Sequence, residues 1–103
     1  MTIPNYFTIG GSVYSVQKVH SSEKDLDGAL GDFCNLVHRI RLAENAEVDG
    51  EEIEVPRDEL IKTYLHELGH CFNYYYNCEC SEEFANAFAN FMYEYITTKE
   101  CNI

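Results

Sequence analysis

His66-Glu67-Leu68-Gly69-His70 is the stretch that decides how this chain is read. Asp58-Glu59-Leu60-Ile61-Lys62-Thr63-Tyr64-Leu65 precede it and Cys71-Phe72-Asn73-Tyr74 follow, and the whole run carries a helical pattern. Residues four apart share a helix face, so the imidazoles of His66 and His70 point the same way. Two imidazoles so placed can hold a divalent zinc ion. Glu67 then lies beside the metal's open position, where its carboxylate can take a proton from water. A cation, a water and a base are the minimum equipment for hydrolysing an amide, so the motif points to a zinc-dependent hydrolase.

Pro56 punctuates the start of this first long helix, and Asp58 and Glu59 suit the positive end of its dipole. The helix is expected to run to about Tyr75. Leu60, Ile61, Tyr64, Leu65, Leu68 and Phe72 give it a broad apolar face to pack on a sheet, with His66, Glu67 and His70 at the edge of that face. A turn over Asn77 to Cys80 follows. Ser81 is a candidate N-cap for a second helix, which opens with Glu82 and Glu83 and runs to about Thr98. Phe84, Phe88, Phe91 and Tyr95 recur along it at helical spacing and are expected in the core.

A catalytic zinc site has three protein ligands and an open fourth position. The start of the second helix, after a turn short enough to fold it back on the first, offers Glu82 or Glu83. Glu82 is preferred, because Asn86 lies four residues on and shares its face, where it can hydrogen-bond a ligand. Glu83 would place Ala87 there and stays the alternative. Tyr74, one turn after His70, is the one candidate for stabilising an oxyanion.

The region resembles the gluzincin metallopeptidases, and within them the small ImmA/IrrE-type proteins common in bacteria and their mobile elements. His66-Glu67-Leu68-Gly69-His70 carries the resemblance together with Glu82-Glu83-Phe84-Ala85-Asn86-Ala87-Phe88-Ala89, which is similar to that family's glutamate and "Ala-Asn-x-Phe-Ala" helix. The match spans about a third of the chain. The resemblance implies a minimal zincin-like α+β domain, with a sheet backing the active-site helix, Zn2+ held by His66, His70 and Glu82, and Glu67 as general base. It implies a protein or peptide substrate, and some relatives cleave transcriptional repressors, which makes a regulatory protein a candidate. The alternative is a zincin-fold module that cuts nothing and serves as a protein-interaction partner or inhibitor.

Upstream, Tyr6 to Val19 reads as strand, interrupted at Gly10-Gly11 by a two-residue hairpin turn or a bulge. Ser21 to Gly31 reads as a loop or a single helical turn. From Asp32 to Leu42 the alternation of His38, Ile40 and Leu42 with Arg39 and Arg41 predicts one half-buried strand with a wet arginine face. His38 and His20 are then strand residues rather than ligands. Glu44 to Glu54 is acidic, with a turn at Asp49-Gly50 and a short edge strand through Ile53 and Val55. The expected architecture is one domain over residues 1–103, with a small antiparallel sheet of three or four strands packed on two helices.

Composition narrows the partners. Seven basic against 18 acidic residues give a formal charge of −11, which repels phosphate backbones and argues against nucleic acid. No apolar run reaches membrane-spanning length, and the first residues lack the pattern of a signal peptide. Five cysteines (Cys34, Cys71, Cys78, Cys80, Cys101) are an odd, irregularly spaced set, which fits a reducing cytoplasm better than a disulfide framework. The single-residue gap between Cys78 and Cys80 argues against a structural zinc knuckle that uses them with Cys71.

Overall fold

The computed structural model describes residues 2–76 and 82–98. The Asn77–Cys80 turn, the Ser81 cap and Cys78, Cys80 and Cys101 lie outside the described residues. Six strands precede two helices: β1 (Tyr6–Ile9), β2 (Ser12–Val19), β3 (Gly31–Cys34), β4 (Arg39–Ala43), β5 (Asn45–Val48), β6 (Glu51–Glu54), α1 (Arg57–Tyr76) and α2 (Glu82–Thr98). This is a small α+β domain with a four-stranded sheet ordered β1-β2-β4-β3 and a separate β5-β6 hairpin.

Turn chemistry explains the hairpins that the sequence announces. Gly10 and Gly11 both take positive φ between β1 and β2, as do Asp49 and Gly50 between β5 and β6. That is the backbone a tight two-residue connection requires. Ser21 to Leu30 contains turns and no helix, with Asp25, Asp27 and Gly28 at positive φ.

The sheet departs from the expected antiparallel arrangement: it is mixed, because β2 and β4 run parallel, Ser15 to Val19 beside Arg39 to Ala43. The cause lies in the stretch read as one strand. Asn35-Leu36-Val37-His38 is a turn, with His38 at a φ of 50°, so β3 folds back antiparallel on β4 with Phe33 opposite Ile40 and Asp32 opposite Arg41. The 20–30 loop carries the chain from β2 past the position that β4 later fills, out to the sheet edge. Leu36 and Val37 are exposed in the turn. Apolar residues there, with no glycine or proline, hide the reversal from a pattern reading.

Two arginine and histidine assignments change with it. Arg41 is buried rather than wet: its guanidinium donates two hydrogen bonds to the Asp32 carboxylate and one to the Lys24 carbonyl. The neighbouring carboxylate raises its already high pKa. His38 is an exposed turn residue whose ring stacks on Tyr14, 5.0 Å away. His20 follows β2 and contacts Ser22 and Glu52 on the surface.

Val16 of β2 and Ile40 and Leu42 of β4 meet Ile61, Tyr64 and Leu65 of α1 and Ala89 of α2 in one core. Phe72 falls short of the expected buried face, at 42% exposed. The larger difference is α2. Its buried residues are Ala85 and Ala89, with Met92, Tyr93 and Ile96 packed against the core, whereas Phe84, Phe91 and Tyr95 are exposed. Spacing identifies a stripe without saying which side it faces, and the small residues won the buried side because they allow α1 to come close.

The edge of the sheet is pressed equally tightly on α1. A β-carbon at Gly31 would lie 2.7 Å from the Thr63 methyl and 2.8 Å from the Arg41 carbonyl oxygen. Gly31→Ala is therefore expected to destabilise the fold by about 1–3 kcal/mol, the range for overpacking against backbone, read as a lower urea midpoint with an unchanged slope.

Candidate metal centre

α1 and α2 approach closely where Gly69 faces Ala85: a β-carbon on Gly69 would sit 3.6 Å from that of Ala85 and 3.7 Å from the Phe88 ring. His66 and His70 flank this contact on α1, one turn before Gly69 and one residue beyond it. Glu82 lies one turn before Ala85 on α2. The helix–helix contact thus sets the position of the carboxylate relative to both imidazoles.

The three side chains converge. The Nε2 atoms of His66 and His70 are 3.1 Å apart. Glu82 reaches the first through Oε2 at 3.1 Å and the second through Oε1 at 2.8 Å. One ligand atom from each residue lies within 4.8 Å of the others, and no other group of three such side chains meets this way among the described residues. Two imidazole nitrogens and a carboxylate each present a lone pair to the same small volume, so a proton or a cation has to lie between them. Ligands about 2.0–2.2 Å from a tetrahedral zinc are separated by roughly 3.3 Å. The observed spacings are a few tenths of an ångström short of that, and the donor set of two nitrogens and one oxygen is of the type zinc takes. Glu83 belongs to no such group.

Glu67 sits next to this cluster and is only 7% exposed. Burial, followed by the negative charges of Asp32 and Glu82, pushes its carboxyl up to about 7. A carboxyl poised there exchanges a proton near neutrality, the property a general base or acid requires.

The cluster opens into a cleft of about 1060 Å³. One wall is the edge strand β3 and the residues leading into it, Ala29 to Phe33; the other comprises α1 and the first half of α2. Asn86 and Tyr74 both line this cleft, as the sequence reading placed them. Tyr74 is half exposed, its ring packed on Phe33 at 6.1 Å and on Tyr75 at 5.0 Å. Cys71 points away from it: its side chain is fully buried and interacts with Tyr14, and burial pushes the thiol up to about 11. The cysteine is inert packing at neutral pH.

Asp32 and Lys62 were missed by sequence reasoning, although both line the cleft and Asp32 acts electrostatically on Glu67. A signal existed in the opposite charges of Asp32 and Arg41, which are cross-strand partners once the turn between them is recognised.

Comparisons with protein-family models, with curated proteins and with solved structures returned no match. The inference about this site therefore rests on its residues and their geometry.

The raised Glu67 pKa has a consequence for the metal-free protein. A carboxyl whose folded pKa exceeds its unfolded value favours folding below pH 4.5 and loses that contribution as pH rises through about 7. In a chelator, wild type is expected to lose up to about 3 kcal/mol relative to Glu67→Gln between pH 4 and pH 8. Urea unfolding at the two pH values checks it; parallel pH profiles would show that Glu67 is solvated.

Proposed function

We propose that this protein is a zinc-dependent metallopeptidase in which His66, His70 and Glu82 hold the ion and Glu67 is the general base. The observation that carries this reading is the convergence of those three ligand atoms, from two helices, beside a buried carboxylate in the wall of an open cleft. The resemblance to the gluzincins agrees with the same residue set.

When bound, the cation supplies Lewis acidity, polarising a carbonyl and making water a stronger acid. The remaining steps belong to the chain. Glu67 accepts a proton from the attacking water and delivers it to the leaving amine, a cycle that needs a carboxyl titrating near neutrality. Burial supplies that property, since the low-dielectric surroundings disfavour its charged form. Glu82 and Asp32 add negative charge on the same side. Glu67 takes the proton as the carboxylate and gives it up as the neutral acid, and a pKa near neutrality suits both halves of that cycle.

A peptide is the substrate that suits the cleft. β3 is an edge strand, with backbone groups on one side unpaired by the sheet, and such an edge accepts an extended chain by main-chain hydrogen bonding. Phe33, Leu30 and Tyr74 give apolar surface for side chains, and Lys62 and Glu59 give charged surface. The Tyr74 hydroxyl is the protein group assigned to the oxyanion, and a regulatory protein is the proposed class of target.

Elemental analysis of the purified protein should find one zinc per chain. Glu82→Ala and His66→Ala should weaken zinc binding by more than about 100-fold, with Glu83→Ala unchanged. Glu67→Gln should keep the metal and lower the hydrolysis of an unstructured polypeptide by about 10²–10⁴-fold. Zinc retained with no chelator-sensitive cleavage in the wild type would favour the non-cutting interaction module, and wild-type rates in Glu67→Gln would remove the base.

A further inference from the structure

α2 carries an aromatic stripe that lies mostly outside the core, with only Phe88 partly buried where its ring nears Gly69 of α1. Phe84, Phe88, Phe91 and Tyr95 are spaced by four, three and four residues, which at about 100° per residue places them within roughly 60° of one another around the helix. Phe91 is 63% exposed, Tyr95 54% and Phe84 44%. The rings stack in pairs, Phe84 with Phe88 at 6.0 Å and Phe91 with Tyr95 at 6.2 Å. Glu82, Asn86, Ala89 and Asn90, which line the cleft, occupy the opposite side of the helix.

We propose that this stripe is a dimer interface, formed by α2 packing antiparallel on α2 of a second copy of the chain. The spacing is its own mirror image. A two-fold axis running between the two helices, level with the midpoint of Ala89 and Asn90, places Phe84 opposite Tyr95 of the second copy and Phe88 opposite Phe91 of the second copy. Each stacked pair then meets the other stacked pair. Such self-complementarity is what an isologous interface demands, and a four-three repeat is the seam along which two helices pack.

The area available sets the strength. Half-exposed aromatic side chains offer about 100 Å² each, so the stripe with its neighbours Ala87 and Thr98 buries on the order of 1,000 Å² over two copies. That lies at the weak end of specific interfaces and gives dissociation in the micromolar range. Charge works against it. Glu83 and Glu94 lie together on one flank of the stripe, and the antiparallel register brings Glu94 of each copy near Glu83 of the other. Dimerisation therefore tightens as salt screens the carboxylates. The cleft stays open in the dimer, and the interface is independent of metal.

Sedimentation equilibrium of the full chain under reducing conditions, from about 1 to about 500 µM and from about 50 to about 500 mM salt, tests this. The expected result is a monomer–dimer equilibrium that closes at twice the chain mass and tightens with salt. Phe91→Glu should leave only monomer with unchanged helical circular dichroism. Glu94→Lys, which turns two repulsive pairs attractive, should tighten the dimer about fivefold at low salt. A monomer across the whole range, or a mass that climbs past the dimer without a plateau, would overturn the proposal. So would a Glu94→Lys variant that dimerises less tightly than wild type.

Discussion

The close contact of α1 and α2 at Gly69 and Ala85 is the constraint on which the site depends. Two helices joined by a short connection can lie against each other at many registers, and long side chains at the crossing would hold them further apart. Here the crossing is made by a glycine and an alanine whose β-carbon positions would be 3.6 Å apart. That proximity lets a glutamate, with a side chain of only three rotatable bonds, span from α2 to both imidazoles of α1. A bulky pair at the crossing would leave both histidines of α1 beyond the reach of the Glu82 carboxylate. The fully buried residues of α2 are accordingly its alanines, and Phe84, Phe91 and Tyr95 are displaced outward.

The same geometry governs the electrostatics. Glu67 follows His66 on α1 and is directed into the region between the sheet edge and the helices, where burial raises its pKa to about 7. Asp32 reaches that region from β3, and it is held by the Arg41 guanidinium beneath the 20–30 loop. Glu82 reaches it from α2. The Glu82 carboxylate meets two imidazoles while the charges of Asp32 and Glu82 act on buried Glu67, an arrangement that is costly unless positive charge joins it. Arg41 balances Asp32 as its cross-strand partner on β4. A cation held by the two histidines and Glu82 would balance the rest.

Much of this was legible in the sequence, for physical reasons that differ by region. The first helix, its acidic opening turn and the His66–His70 face follow from a period that a helix cannot avoid, and the glycine and Asp-Gly turns follow from positive φ that few residues tolerate. Choosing Glu82 over Glu83 rested on which residue lay four positions on, and of the two it is Glu82 that meets the histidines in the structure. The mixed sheet was illegible because the Asn35–His38 reversal is built from residues that alternate like a strand; the left-handed backbone at His38 is fixed by packing rather than announced by composition. The burial of Arg41 was hidden by the same error, since its partner Asp32 was read as lying on the same strand. The outward face of α2 was misassigned because periodicity gives the width of an apolar stripe and not its direction.

That last error bears on what α2 is for. A surface helix ordinarily turns its polar side to water and its apolar side to the core. In α2 the polar residues Glu82, Asn86 and Asn90 line the cleft, Ala85, Ala89, Met92, Tyr93 and Ile96 face the core, and Phe84, Phe91 and Tyr95 face outward. The helix is apolar over more of its circumference than a single domain can cover. Exposed aromatic surface of this extent lowers solubility, and a chain with net charge −11 has the self-repulsion to keep such a surface from associating indiscriminately. An interface with matched geometry can still form, because close packing of the rings acts over contact distances while the repulsion is screened over about 8–10 Å at ordinary salt. The acidic surface and the aromatic stripe are thereby compatible: one suppresses random adhesion, and the other leaves a single ordered mode of association.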